Sequence, residues 1–143
     1  MIPAEELVAR FPDVRIDLDS RAWFEGLLEH RLLVNRCTDC GRWHHPPLPR
    51  CPGCWSSAVT ATEVAGRGTV FSVVGFPGAG DGDAVALVVV DLDEQDGLRL
   101  TTAWAGDPAE ARIGRRVVAV WPGSGASPFP AFGPAPDEEC DTP

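Results

Sequence analysis

Two Cys-x-x-Cys pairs, Cys37–Cys40 and Cys51–Cys54, constrain this chain more than any other stretch. A tight turn within each pair brings both sulfurs to about 2.3 Å from a common centre, and two pairs together fill a tetrahedral shell. The ten-residue link between the pairs is shorter than the longest ribbon spacings, yet long enough for a small two-stranded excursion. Four thiolates leave no position for water or substrate, so the expected metal is structural rather than catalytic. One zinc per chain is the expectation, although sulfur ligands alone do not separate zinc from iron. His44 and His45 lie in the link and would be needed only in a mixed shell. Gly41 suits a positive φ after the second cysteine and lets backbone N–H groups point at sulfur. In the second pair, Pro52-Gly53 is expected to make the turn by a different route. Pro46, Pro47 and Pro49 keep the link extended.

The surrounding composition narrows the compartment and the partners. The chain has 143 residues, a net charge of -9 and no lysine. A nucleic-acid partner needs a clustered positive face, so this balance argues against one. Met1–Arg10 carries early acids and no apolar h-region, and does not read as a secretory signal. No eighteen apolar residues run together, so no membrane helix is expected. A cytoplasmic protein is the consequence, and in a reducing compartment paired Cys-x-x-Cys motifs read as metal sites rather than disulfides. A thioredoxin-like redox reading would need a βαβ context, which is not visible.

Along the chain, a short helix is expected from Glu5 to Arg10, followed by the extended alternation Val14, Ile16, Leu18. A second helix is expected over Arg21–His30, with Ser20 as its cap and Trp23–Leu27 and Phe24–Leu28 as i, i+4 pairs. A lone helix of this length is marginal in water, so Trp23 and Phe24 must dock, on this chain or on a partner subunit. From Val59 onward the pattern turns to β. Gly66–Val74 is the first strand of a barrel, entered through glycines that often mark a bulge. Ala84–Leu92, nearly all apolar, is expected to be largely buried. Leu98–Trp104 follows with Leu98, Leu100, Thr102 and Trp104 on one face. Asp107-Pro108 opens one helical turn, Arg115–Trp121 is the fourth strand and Pro128–Phe132 the fifth.

Three strands, a short helix and two strands give the order of a five-stranded OB barrel, with a small SH3-like barrel as the competitor. The expected class is mainly β: an N-terminal helical arm over 1–33, a four-cysteine zinc ribbon over 34–58, an OB-fold barrel over 59–132, and a disordered acidic tail over 133–143.

Outside the ribbon, catalytic chemistry is hard to find. The loop Gly75–Asp83 lacks the Lys-Ser/Thr of a phosphate loop and carries aspartates where a nest should be positive. Cys140 lies in the acidic tail, where carboxylates disfavour the thiolate. No nucleophile-elbow serine, His-Glu-x-x-His pair or paired-carboxylate motif occurs. Single-strand binding would need aromatic platforms in a basic groove. Phe71, Phe76, Trp104 and Trp121 supply aromatics, but Arg67, Arg99, Arg112, Arg115 and Arg116 are outnumbered by carboxylates.

Several segments together carry a family resemblance: Trp23-Phe24-Glu25-Gly26-Leu27, Asn35-Arg36-Cys37-x-x-Cys40-Gly41, Pro46-Pro47-x-Pro49-Arg50-Cys51-Pro52-x-Cys54, Gly66–Ser72 and Arg112-Ile113-Gly114. They resemble the domain of unknown function 35 family, a rubredoxin-like zinc ribbon joined to an acyl-CoA-associated OB fold. The resemblance implies a non-catalytic subunit of an acyl-CoA enzyme, chiefly a thiolase or a thiolase-like lipid-transfer-protein aldolase, in other cases a MaoC-type enoyl-CoA hydratase. The partner would supply the catalytic residues, and this chain would stabilise it and help to hold the CoA thioester. By the same resemblance Trp23, Phe24, Arg42, Trp43 and Phe71 are candidate contacts with partner or acyl-CoA. The loop Gly75–Asp83 departs from the family, which usually carries bulkier residues there.

Overall fold

The expected helices form, and what they pack on is visible in the computed structural model, which describes residues 2–78, 84–121, 123 and 128–136. The chain divides into two compact units, one running to Ala65 and including Pro128, the other running from Gly66 and resuming at Phe129.

In the first unit, α1 (Ala4–Arg10) and α2 (Arg21–Leu28) accompany a three-stranded antiparallel sheet. Leu7, Phe11, Trp23, Phe24 and Leu27 are all buried. Phe11 meets Phe24 edge-on, with ring centroids 4.9 Å apart. The N-terminal segment is thus part of this unit's core rather than a separate arm. The cap of α2 also differs from expectation, because the Ser20 side chain makes no cap bond to the helix. Asp17 Oδ1 accepts from Ser20 N at 2.9 Å, and Ser20 Oγ accepts from Asp17 N at 3.0 Å. That reciprocal pair is a capping box opened three residues earlier than Ser20. Its N–H donation from Ser20 holds the Asp17 carboxyl below its ordinary range.

The sheet has β1 (Leu33–Cys37) at its centre, between β2 (Trp43–His44) and β3 (Val59–Glu63). All five residues of β3 pair with β1, from Leu33↔Glu63 to Cys37↔Val59. The segment after Val59 was expected to open the barrel. It instead completes the ribbon sheet, because β propensity marks a strand without naming the sheet it joins.

The second unit contains β4 (Arg67–Phe76), β5 (Val85–Leu92), β6 (Arg99–Ala103), a 3-10 turn (Pro108–Glu110), β7 (Arg116–Val120) and β8 (Ala131–Pro134). Asp107 caps the turn, its Oδ1 accepting from Ala109 N at 3.0 Å. The strands lie in the order β6-β5-β4-β7-β8. A parallel bridge, Trp104↔Phe132, joins the two ends, and Ala105 N donates to Phe132 O at 2.7 Å. This closure is the connectivity of the five-stranded OB barrel, which excludes the SH3-like alternative.

Val70, Val88, Val90, Leu92, Leu100, Val117 and Phe132 fill the interior. Gly68 is required by close approach, since a Cβ there would lie 2.2 Å from Asp91 O. The bulge of β4 falls at Phe71, between Val70 and Ser72, rather than at a glycine. Strand β5 alternates instead of being buried throughout. Val85 and Leu87 face outward, 57% and 38% exposed, opposite the exposed Phe76 and Val74 of β4. A closed sheet has an outside, and an apolar run does not reveal it.

The barrel also extends past its expected end, with Gly133 and Pro134 in β8 and Ala135 N donating to Arg116 O at 3.0 Å. Residues 79–83 of the expected acidic loop and residues 137–143 of the expected tail, with Cys140, lie outside the described residues. Among the described residues no helix is long and apolar enough to cross a membrane.

Candidate metal centre

The two Cys-x-x-Cys pairs meet because both turns have one backbone design. In the first, Cys37 N donates to Arg42 O at 2.8 Å and Gly41 N to Cys37 O at 2.9 Å. In the second, Cys51 N donates to Ser56 O at 2.9 Å and Trp55 N to Cys51 O at 2.8 Å. The residue after the second cysteine takes a positive φ in both turns: +80° at Gly41, and +65° at Trp55. This corrects the expectation for the second pair. Its left-handed residue is Trp55, and Gly53 keeps a φ outside the left-handed region.

Strand β1 delivers Cys37, and the turn that follows delivers Cys40. The second turn is tied back by Thr38 N donating to Ala58 O at 2.8 Å, and by Ser56 Oγ donating to Asp39 Oδ2. The four Sγ atoms lie within 4.8 Å of one another. Cys37 to Cys54 and Cys40 to Cys51 are each 3.6 Å apart. A tetrahedron with metal–sulfur bonds of about 2.3 Å has edges of about 3.8 Å. Disulfides, at about 2.05 Å, are excluded by the same distances. The residues therefore fit one zinc ion held by four thiolates.

Backbone N–H groups prepare the shell for negative charge. Cys40 N points at Cys37 Sγ at 3.5 Å, and Gly53 N at Cys51 Sγ at 3.3 Å. Donation from the backbone of Cys40, with that of Asp39, outweighs burial and lowers the Cys37 thiol to about 7. The backbone of Cys54, with that of Gly53, likewise lowers Cys51. These two thiols are buried, whereas Cys40 and Cys54 are exposed. A metal thus finds two thiolates already favoured within the fold.

Neither histidine joins the four-sulfur group. His44 Nε2 is 3.4 Å from Asn35 Nδ2, and burial lowers its pKa. The His45 ring lies 4.5 Å from that of Trp23, and burial, with His44 beside it, pushes it down to about 4. Both rings are held neutral as packing elements.

The candidate contacts separate by exposure. Trp23, Phe24 and Trp43 are buried in the first unit, and the Arg36 guanidinium lies 4.9 Å over the Trp43 ring. Arg42 is exposed. In the second unit Phe71 is 47% exposed, with the Arg99 guanidinium 3.6 Å over its ring. Arg99 is steadied by Asp91 at 2.9 Å.

A family model described as ChsH2, rubredoxin-like zinc ribbon domain, matches residues 24–60. The probable enoyl-CoA hydratase alpha subunit of Thermomonospora curvata is 36% identical over 134 residues, covering 90% of this chain and 41% of that protein. The 3-oxo-4,17-pregnadiene-20-carboxyl-CoA hydratase alpha subunit of Mycobacterium tuberculosis is 32% identical over 105 residues, covering 72% of this chain and 33% of that protein. The chain spans between a third and about two fifths of the length of these curated relatives.

Among solved structures, a DUF35 family protein from Sulfolobus solfataricus superposes with a TM-score of 0.64 at 15% identity, covering 90% of this chain and 92% of that one, and supports the fold alone. A chain of the Ltp2-ChsH2(DUF35) aldolase superposes with a TM-score of 0.72 at 33% identity, covering 85% of this chain and 98% of that one. With the four-thiolate ribbon and the OB barrel in place, that match makes this chain a member of the DUF35 family.

Proposed function

We propose that the chain is a non-catalytic accessory subunit of an acyl-CoA enzyme, stabilising a thiolase-like aldolase partner and helping to hold the CoA thioester. The observation that carries this reading is the 33% identity over 98% of the DUF35 chain in the Ltp2-ChsH2 aldolase. The chemistry agrees with it. The shell formed by Cys37, Cys40, Cys51 and Cys54 has no open position, so zinc there supplies folding energy and rigidity rather than Lewis acidity. Arg42 and Phe71, the exposed members of the candidate contact set, are available to a partner. The paired cysteines also suit a reducing cytoplasm.

A second reading is favoured by the two curated relatives, whose names are those of hydratase alpha subunits. In that case the partner is an enoyl-CoA hydratase chain. Affinity capture of the tagged chain from its native host at low salt, followed by mass spectrometry, decides between them. A thiolase-like chain supports the first reading and a hydratase chain the second. A chain that elutes as a monomer without any acyl-CoA enzyme refutes both.

A further inference from the structure

The equivalence of the two cysteine turns makes Trp55 anomalous. Both turns require a left-handed residue after the second cysteine, and the first uses Gly41. The second places tryptophan there, at φ +65°. A bulky side chain in this region brings its Cβ against the neighbouring carbonyl and costs about 1–2 kcal/mol. Burial returns little of this, because Trp55 is 72% exposed while Trp23, Trp43 and Trp104 are each at most 9% exposed. A large indole kept mostly in water on a backbone that favours glycine leaves its apolar face open to a contact outside the chain.

The charge around Trp55 indicates what that contact is. Arg50 Nη1 donates to the Trp55 backbone carbonyl at 3.0 Å, which ties a guanidinium to the turn that carries the indole. The Arg42 side chain lies against Gly53, its Cδ 2.9 Å from where a Cβ would stand. Arg50 and Arg42 are exposed, and Asp39 accepts from Ser56 Oγ. On a chain of net charge -9 the turn that carries Trp55 thus has two exposed arginines held against its backbone.

We propose that Trp55 is the anchor by which the ribbon docks into an apolar slot on the acyl-CoA enzyme subunit, a slot bordered by carboxylates that face Arg42 and Arg50. The proposal rests on the accessory-subunit reading and specifies its contact surface. Buried tryptophans flanked by arginines are the residue types that dominate binding energy at such interfaces.

The test takes the acyl-CoA enzyme captured by the full wild-type chain and measures its Kd for wild type, Trp55→Gly and Trp55→Asn, with zinc content and thermal unfolding of each variant. Both substitutions suit a left-handed residue. The expected result is full zinc content, unchanged or improved stability, and affinity lowered by about 30-fold or more. Equal affinities would overturn the anchor while leaving the accessory reading intact. Loss of zinc or stability in both variants would make Trp55 a structural residue and overturn it as well. A wild-type dimer that Trp55→Gly dissociates, with partner affinity unchanged, would assign the knob to a second copy and also overturn the proposal. Capture of no acyl-CoA enzyme overturns both readings.

Discussion

Two glycines of one strand provide a matched pair of perturbations. Gly68 and Gly75 both lie in β4, and neither takes a positive φ. An alanine Cβ at position 68 would come within 2.2 Å of Asp91 O and 2.6 Å of Val90 Cγ1. The strand cannot move aside freely, because Gly68 pairs with Leu92 on one side and Val117 on the other. Restoring van der Waals separation takes a backbone shift of roughly 1 Å. Overpacking of this kind costs about 3 kcal/mol. Reduced freedom of the unfolded chain returns about 0.4–1 kcal/mol.

The net loss for Gly68→Ala is therefore about 2–3 kcal/mol, which in a barrel of this size lowers Tm by about 8–24 °C. At position 75 a Cβ meets nothing within 4 Å. Gly75→Ala should be neutral or stabilising by up to about 1 kcal/mol. Calorimetric melting of both variants, with hydrogen exchange at the Val88 and Val90 amides as the barrel's own reporter, measures the difference. If Gly68→Ala melts within about 2 °C of Gly75→Ala, the close approach of β4 to β5 is not as described.

The metal and the half-buried His45 imidazole give two further expectations. Wild-type protein should bind one zinc, and Cys51→Ser, which removes a buried ligand, should lose the metal together with the tertiary signals of Trp23 and Trp43; elemental analysis and near-UV circular dichroism check this. His45 is neutral in the fold with a pKa of about 4, and its Nδ1 has no hydrogen-bond partner among the described residues. The unfolded chain takes up that proton near pH 6.5. Its contribution is thus present above about pH 6.5 and is lost as pH falls toward about 4, up to about 3 kcal/mol in all. Urea midpoints at about pH 7.5 and about pH 5 with zinc held saturating should fall more steeply for wild type than for His45→Gln. Parallel profiles would contradict the burial argument.

The metal ligands were legible in the sequence because a Cys-x-x-Cys spacing is a local geometric requirement, met within four residues. The barrel strands were legible for a similar reason: Leu98, Leu100, Thr102 and Trp104 alternate, and Asp107-Pro108 marks a turn by its own backbone preferences. What the sequence did not reveal depends on partners distant along the chain. Val59–Glu63 has strand propensity, but only its register with β1 places it in the ribbon. Val85 and Leu87 are as apolar as their buried neighbours, and only barrel closure turns them outward. Asp17 serves as the cap because Ser20 is oriented toward it. Trp55 carries no local signal of its kind, because glycine is the usual mark of a left-handed turn. Aligning the two turns on their cysteines would have set it opposite Gly41.

The bridge between Trp104 and Phe132 has a consequence in time. All four ribbon cysteines and the three strands of their sheet precede Ala65, but the barrel cannot close until Phe132 has been synthesised. At translation rates of about 5–20 residues per second, that interval is about 3–13 s. During it the ribbon has all four ligands with which to acquire metal, while β4, β5 and β6 form an open meander whose edge strand awaits β8. The order of synthesis thus lets the ribbon load metal before the barrel closes, and leaves the apolar strands as the part that waits longest for its partner.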